Sequence, residues 1–151
     1  MTNDDLKTKI ESILPDATYE ESTEWLTLNT IPEGFKIFTH TLRNDPALQF
    51  DFLFCVTAID WKTHFHMVYH FRSTTLHQTL VVKVLLDKTN PTIDTVCDIW
   101  RTAEFHEREA YDLMGITFNG HPDLRRLFLE DEHTGFPLRK DYEDAINMIK
   151  L

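Results

Sequence analysis

The spacing of apolar residues along the chain predicts four helices. Residues 4–14 place apolar side chains three and four positions apart, and Pro15 ends the run. Residues 32–45 repeat that spacing after an opening proline, which a first helical turn tolerates well. Two later stretches, residues 94–100 and 103–114, also have helical periodicity. These segments flank a central region with a different pattern.

The central region has the pattern of β-strands. Residues 50–60 are almost continuously apolar, which is typical of a central strand. Residues 64–72 alternate strictly, and residues 79–86 are rich in Val and Leu. One side of the alternating strand carries Phe65, Met67, Tyr69 and Phe71, and the other carries His64, His66, Val68 and His70. Upstream, residues 19–28 have the pattern of a hairpin with its acidic turn at 20–23.

The order of the predicted elements favours an α+β fold. A hairpin, a helix, a three-stranded meander and further helices suit a two-layer domain, with a mixed β-sheet and helices packed on one face. Regular periodicity ends at Gly115, so residues 1–115 are assigned to this domain and residues 116–151 to an extended C-terminal tail. The tail is irregular but contains Leu124, Leu127, Phe128, Leu129, Phe136 and Leu138. Because such a segment should not lie loose in water, we expect it to dock on another protein.

Composition indicates which kinds of partner and which cellular location the chain is expected to have. A formal net charge of −10 argues against nucleic acid as a partner, because such a chain would gain no binding free energy from the release of counterions. Basic residues of the last third can face an acidic partner surface: Arg101, Arg108, Arg125, Arg126, Arg139 and Lys140. The sequence has no apolar run of membrane-spanning length and no signal or transit peptide pattern. We therefore expect a soluble, cytoplasmic chain that meets a membrane only through a partner.

The common catalytic motifs do not fit the sequence. A stretch that begins like the HExxH motif of zinc proteases has Ala110 where the second histidine is required. The sequence also has no Gly-rich phosphate loop and no GxSxG motif. Cys55 and Cys97 lack the spacing of a metal or cluster site and are predicted to be reduced thiols. One alternative is a free-standing metalloenzyme in which His64 and His66, on the same strand face, bind a metal ion.

The last predicted helix carries the most informative local pattern. Glu107 falls within an otherwise apolar stripe, so its carboxylate needs a cation or hydrogen-bond donors. We predict that Glu107 or Glu109 pairs with an arginine of the tail or with a basic group of a partner. By contrast, the i,i+4 pairs of Arg108 with Glu104 and Asp112 are typical of a solvated helix face.

Three short sequence blocks follow one another from this helix into the tail. The first contains Glu107, Arg108, Glu109, Asp112, Leu113 and Met114. The second contains Gly115, Ile116, Phe118, Gly120, His121 and Pro122. The third contains Gly135, Pro137, Leu138, Arg139, Lys140, Asp141 and Tyr142. Together the blocks resemble the signature of the C-type subunit of NADH-quinone oxidoreductase, respiratory complex I, with one departure at His133, where many members have tryptophan.

This resemblance implies a non-catalytic subunit of the peripheral arm. It implies no catalytic residue, cofactor or metal in this chain, while NADH, FMN, iron–sulfur clusters and quinone bind elsewhere in the complex. The chain would pack against the large, hydrogenase-like subunit of the D type and neighbouring peripheral-arm subunits, on the cytoplasmic side of the inner membrane. The block residues and Arg126 would hold the tail for docking, and so support electron transfer from NADH to quinone coupled to ion translocation. Related membrane-bound hydrogenases and ferredoxin- or deazaflavin-linked dehydrogenases share the pattern and are the alternatives.

Overall fold

The computed structural model describes residues 1–21 and 24–146, and these residues form three helices and two β-sheets. The helices are α1 (Asn3–Ile13), α2 (Phe35–Asn44) and α3 (Ala103–Met114). The strands are β1 (Thr18–Tyr19), β2 (Leu26–Thr30), β3 (Phe52–Asp60), β4 (His64–Ser73), β5 (Gln78–Asp87), β6 (Thr92–Asp94) and β7 (Thr117–Asn119). The α+β class predicted from the order of the elements is confirmed.

The larger sheet is mixed and has the strand order β1-β2-β5-β4-β3. β4 is antiparallel to both neighbours, and Tyr69 lies opposite Val56 of β3 and Val82 of β5. β2 runs parallel to β5. The segment from α2 to β4 separates these two strands in sequence and supplies the long connection that a parallel pair requires. β6 and β7 form a second, two-stranded parallel sheet.

One hydrophobic core lies between the helices and the larger sheet. The alternation predicted for β4 is confirmed, because the core contains Phe65, Met67, Tyr69 and Phe71. The helices contribute Leu6, Ile10, Phe35, Phe38, Leu42, Ala103, Ala110 and Met114. The ring centroid of Phe35 lies 5.0 Å from that of Tyr69. Burying one such side chain contributes roughly 1.5–3 kcal/mol, so this layer is the main source of stability.

The prediction of a central strand over residues 50–60 is wrong, because β3 is an edge strand. Phe52 and Phe54 lie with ring centroids 5.9 Å apart. The ring of Phe54 also lies 6.3 Å from Trp25 and 5.6 Å from His70. The strand is therefore apolar because aromatic side chains pack along its length, and a flanking strand is not needed to explain its composition.

The helix predicted over residues 94–100 is also wrong. Its first residue belongs to β6, which pairs with β7. The N–H of Thr95 donates to the carbonyl of Asn119 at 2.9 Å, and the N–H of Val96 donates to the Glu107 carboxylate at 2.8 Å. Helical hydrogen bonding within 94–100 is limited to one turn, in which the N–H groups of Ile99 and Trp100 both donate to the carbonyl of Val96.

The predicted hairpin is confirmed, since β1 pairs antiparallel with β2 and Thr18 lies opposite Asn29. The turn predicted at 20–23 includes residues 22 and 23, which lie outside the described residues. The segment 19–28 thus folds locally, as its sequence indicates.

The chain beyond Gly115 is more regular at its start than the sequence indicates. Ile116 and Phe118 are buried in the core, and β7 pairs with β6. Irregular backbone begins only after β7. The division of the chain into 1–115 and 116–151 stays a prediction, and residues 147–151 lie outside the described part of the chain.

Candidate functional site

Helix α3 is the centre of the candidate site. Its buried residues include Ala103, Glu107, Ala110 and Met114, which confirms that this stripe faces inward. The helix ends at Gly115, which caps it in the left-handed conformation with a φ of 73°. The irregular segment of residues 120–142, called the strap below, runs beside the C-terminal half of this helix.

Arg108 and Asp112 of α3 are buried too, so the prediction that they form a solvated face is wrong. The strap covers both side chains. Arg108 donates from Nε to the carbonyl of Arg125 at 3.2 Å and from Nη2 to the carbonyl of Arg126 at 3.0 Å. A guanidinium thus satisfies carbonyls that have no partner in regular secondary structure.

Asp112 fixes the turn of the strap that follows Arg126. Its Oδ2 accepts the N–H groups of Leu127, Phe128 and Leu129 at 3.2, 2.7 and 3.1 Å. Its Oδ1 accepts Nη1 of Arg126 at 3.0 Å. Burial alone would raise the pKa of Asp112, but the bonds from Phe128, Arg126, Leu129 and Leu127 outweigh it and hold the pKa below its usual value. The carboxylate is therefore ionised and serves as an anchor.

Arg126 extends this anchor in both directions along the chain. Its Nη1 also donates to the backbone carbonyl of Asp112 at 2.9 Å. Its Nη2 donates to the carbonyls of His133 and Gly135 at 2.9 and 3.0 Å. One guanidinium therefore ties the end of α3 to two separate parts of the strap, and the planar fork of arginine suits this arrangement.

A second attachment lies where the strap passes the C-terminus of α3. The N–H of Leu138 donates to the carbonyl of Leu113 at 3.0 Å, and Nε of Arg139 donates to the carbonyl of Met114 at 2.6 Å. These bonds satisfy carbonyls that the last turn of a helix leaves open. The guanidinium of Arg139 also lies over the rings of Phe65 and Phe136, 5.1 and 5.0 Å from their centroids.

Replacing Gly115 by Ala is expected to loosen this second attachment. An added Cβ would lie 2.6 Å from the ring of Phe136 and 2.7 Å from Nη2 of Arg139. The left-handed backbone costs about 1–2 kcal/mol for any L residue, and the close contacts add roughly 1–3 kcal/mol. Thermal denaturation and limited trypsin digestion within the strap measure the effect.

Gly34→Ala is the matched control for that variant. Gly34 has a φ of 76°, but an added Cβ there would meet no atom within 4 Å. It therefore has the backbone cost without the close contacts. Equal losses of stability for the two variants would mean that the strap does not press against Gly115.

Glu107 has different partners from those predicted. Its two oxygens accept hydrogen bonds from the Thr95 hydroxyl and from the N–H of Val96. The tail arginine that pairs with a carboxylate of α3 is Arg126, and its partner is Asp112. The predicted pairing of Glu107 with a tail arginine is therefore wrong. Burial raises the pKa of Glu107 to about 7, although both hydrogen bonds act in the opposite direction. Glu109, the other candidate in that prediction, is exposed.

The family profile described as respiratory-chain NADH dehydrogenase, 30 Kd subunit, matches residues 28–145. The match includes the larger part of the sheet, all of α3 and the whole strap. The chain belongs to this family. The predicted resemblance to the C-type subunits of NADH-quinone oxidoreductase is thereby confirmed.

Relatives of this member of the 30 Kd subunit family include curated proteins and solved structures. The C-type subunit of NADH-quinone oxidoreductase from Chloroherpeton thalassium is 42% identical over 113 residues, which are 74% of this chain and 47% of that protein. The combined C/D protein of Phocaeicola vulgatus is 41% identical over 118 residues, 77% of this chain and 23% of that protein. The chain thus spans about half of the first and about a quarter of the second. A trypsin-resistant fragment of Nqo5 shares the fold with a TM-score of 0.70 and 28% identity, covering 80% of this chain and 98% of the fragment.

Not every block residue of this 30 Kd family member bonds to α3. His121 does, because its Nε2 lies 3.0 Å from the carbonyl of Glu104 and its Nδ1 accepts the N–H of Asp123 at 3.0 Å. Pro122 is exposed, and Pro137 is half-buried within the strap. Gly120, which follows β7, has a φ of 80°. The structure therefore brings the arginines, Asp112 and His121 together, and leaves Glu109 and Pro122 at the surface.

The third block is bound by Asp60, a residue that the sequence patterns do not single out. Asp60 lies at the end of β3, and its Oδ2 accepts the N–H of Lys140 at 2.9 Å. Asp141 lies 3.7 Å from the ammonium of Lys88. The available signal was a single acid at the end of an apolar run, which does not by itself indicate what it binds.

Two sets of side chains in this family member have elements of a metal site. Cys97, Glu107 and His121 place ligand atoms within 4.8 Å of one another. However, the Asp123 N–H occupies Nδ1 of His121, so Nε2 carries the ring proton and points to a carbonyl. Both Glu107 oxygens also accept hydrogen bonds. This cluster is therefore arranged as a hydrogen-bonded unit.

The histidine pair of the metalloenzyme alternative is no stronger a candidate for a metal site than that cluster. Nδ1 of His66 accepts the indole N–H of Trp61 at 2.9 Å. Within residues 1–21 and 24–146, His64 and His66 belong to no group of three possible metal ligands. The described geometry does not favour a metal site on this strand.

Proposed function

We propose that this chain is a non-catalytic, C-type subunit of the peripheral arm of an NADH-quinone oxidoreductase. In this role it docks on the large, hydrogenase-like subunit of the D type and supports electron transfer from NADH to quinone coupled to ion translocation. NADH, FMN, iron–sulfur clusters and quinone would be bound by other subunits. The chain contributes a surface of fixed shape.

One observation carries the proposal. The polar side chains of the site point inward and bind backbone groups of the strap, while large apolar side chains of the strap point outward. Phe128 is 65% exposed and Leu138 is 60% exposed. The backbone N–H of each residue donates to α3, so the backbone that carries each side chain is held in place. Fixed and exposed apolar groups are typical of protein interfaces.

The relatives support the choice of partner. The Chloroherpeton protein is named as the C-type subunit of NADH-quinone oxidoreductase. The Phocaeicola protein is named as C/D, so the C-type and D-type subunits form one chain in that organism. Fusion favours a direct contact between them, and we extend this contact to the present chain.

The proposed location follows from the same reasoning. Among the described residues, no helix combines the length and apolar character needed to cross a bilayer. We propose that the chain reaches the cytoplasmic side of the inner membrane through the D-type subunit.

The double variant Phe128→Ser/Leu138→Ser tests the docking surface. Both side chains are exposed, so the free energy of unfolding should change by about 0.5 kcal/mol or less for each. Loss of two central apolar contacts should lower recovery of the partner by roughly tenfold or more. The measurement is affinity purification of the tagged chain from native membranes in mild detergent, with the subunits quantified by mass spectrometry.

Ile37→Ser is the matched control, because Ile37 on α2 is 74% exposed but lies far along the chain from the strap. It should leave recovery of the partner unchanged. Recovery of a D-type subunit with NADH- and flavin-binding subunits supports the proposal. Recovery of hydrogenase-type subunits instead would assign the chain to a related complex, and recovery of no respiratory subunit would refute it.

A further inference from the structure

Asp60 gathers three lysine-bearing segments at one end of the larger sheet. Its side chain is almost fully buried, and its Oδ1 accepts the N–H of Lys62 at 2.7 Å. Its Oδ2 accepts the N–H of Lys140, and the ammonium of Lys88 lies 3.2 Å from the same atom. The three lysines come from the β3–β4 turn, the end of β5 and the third sequence block.

The carboxylate of Asp60 holds this arrangement in its ionised form. Burial alone would raise its pKa, but the N–H groups of Lys140 and Lys62 and the ammonium of Lys88 together hold the pKa below its usual value. Lys62 also has a φ of 72°, a left-handed conformation that a lysine adopts only when other contacts compensate. The β3–β4 turn is therefore held in a specific shape.

The result is a local basic pocket on an acidic protein. Lys62, Lys88, Lys140 and Asp141 line one open pocket. Lys62 and Lys140 are exposed, whereas Lys88 is committed to Asp60 and Asp141. The formal net charge of the chain is −10, so this concentration of cations contrasts with the molecule as a whole. Lys140 of the pocket is two residues beyond the exposed Leu138, so the pocket continues the proposed docking surface.

We propose that this pocket binds a carboxylate-bearing segment of the partner protein. The inference rests on the proposed function, and it adds the chemistry of the partner's contact surface. At physiological salt the Debye length is about 8 Å, so a short acidic segment interacts mainly with the pocket lysines. An anionic bilayer is an extended plane and would also meet other parts of a chain whose formal net charge is −10. The pocket therefore fits a protein segment better than a lipid surface.

The variant Lys62→Gln/Lys140→Gln tests the inference in the complex. Gln keeps much of the side chain and leaves the backbone bonds to Asp60 and the ion pair of Lys88 in place. The control is Arg43→Gln/Arg72→Gln, which removes the same charge from two exposed positions outside the last third of the chain. Retention of respiratory subunits on the tagged chain is measured as NaCl is raised, and thermal melting confirms that each variant is folded.

Loss of two exposed ion pairs should weaken retention roughly three- to tenfold at low salt and make it less sensitive to NaCl. The control should behave as the wild-type chain does. Unchanged retention and salt dependence in the lysine variant would overturn the inference while the proposed function stands. Recovery of no respiratory subunit by the wild type would instead count against the proposed function.

A direct probe tests the pocket independently of the complex. A hexaglutamate peptide titrated into the isolated full chain should shift the NMR signals of the Lys62 and Lys140 amides. The shifts should disappear in the lysine variant and persist in the arginine control. No shift with the peptide, or binding only to phosphatidylglycerol vesicles, would overturn the assignment of a protein segment as the ligand.

Discussion

Replacing Asp112 by Asn is expected to lower the free energy of unfolding by about 3–5 kcal/mol, because it removes one member of a buried ion pair. The Arg126 guanidinium would lose its only ionic partner among the described residues. The N–H groups of Leu127, Phe128 and Leu129 would keep at best a neutral acceptor. For a chain of this size the midpoint of thermal unfolding should fall by roughly 10 °C.

Two measurements separate a local effect from a global one. Urea denaturation gives the free energy of unfolding, and amide hydrogen exchange reports the N–H groups of residues 127–129 individually. These amides should be protected in the wild type and exchange rapidly in the variant. Glu109→Gln is the control, because Glu109 is exposed on the same helix. A variant at Asp112 that matched this control would show that the carboxylate does not hold the strap.

Asp112 also predicts the behaviour of the strap in acid. Its pKa in the folded chain is lowered, so its contribution to stability is present above about pH 4, the unfolded value. It is lost as the pH falls through the folded pKa. Protection of the amides of residues 127–129 should therefore decrease in acid in the wild type, and much less in Asp112→Asn.

Glu107 should give the opposite dependence on pH. Its pKa is raised from 4.5 to about 7, so the folded chain binds a proton that the unfolded chain has already released in that range. The contribution of Glu107 to stability is therefore greatest below about pH 4.5 and decreases as the pH rises through 7, by up to roughly 3 kcal/mol. Lys36 opposes the rise in pKa and Asp98 adds to it, and both effects are smaller than that of burial.

Two substitutions at Glu107 separate its charge from its hydrogen bonds. Glu107→Gln removes the titration and can still bond to Thr95 and Val96, so the decrease in stability that Glu107 causes as the pH rises through 7 should be absent. Glu107→Ala leaves a cavity and an unpaired buried N–H on Val96, and should be about 2–4 kcal/mol less stable than Glu107→Gln at every pH. Thermal melting across that pH range is the measurement. A difference in stability between the wild type and Glu107→Gln that does not change with pH would contradict the buried position of the carboxyl group.

Elements defined by local periodicity were predictable from the sequence. The bounds of α3 and the inward face of β4 follow from the spacing of apolar residues alone. The segment at 94–100 also has helical spacing, but its first residue pairs in a β-ladder with Asn119, which is distant in sequence. Likewise, an apolar run such as β3 does not show whether a strand or a set of aromatic side chains covers it.

The polar part of the site was predictable only in outline. The sequence blocks indicate which residues matter, and the structure shows different pairings. A tail arginine is predicted to pair with Glu107 or Glu109, whereas Arg126 pairs with Asp112. Arg108 and Asp112 have the spacing of an exposed pair, and only the return of the strap buries them. Periodicity along one helix carries no information about a covering segment that lies outside regular secondary structure.

The strap also changes how the apolar residues of the tail are interpreted. The sequence predicts an irregular, apolar tail that docks on another protein. In the structure the strap is already bonded to α3 through Asp112, Arg126 and Arg139. The partner would therefore meet a preformed surface, which lowers the ordering cost of docking.

A photo-crosslinking amino acid at position 128 tests the central claim most directly. Benzoylphenylalanine replaces Phe128 with little change in chemistry, and the same substitution at Ile37 is the control. Illumination of native membranes should join position 128 to the D-type large subunit, identified by mass spectrometry, and should not do so from position 37. Absence of that product in membranes that contain the assembled complex would contradict docking through the strap.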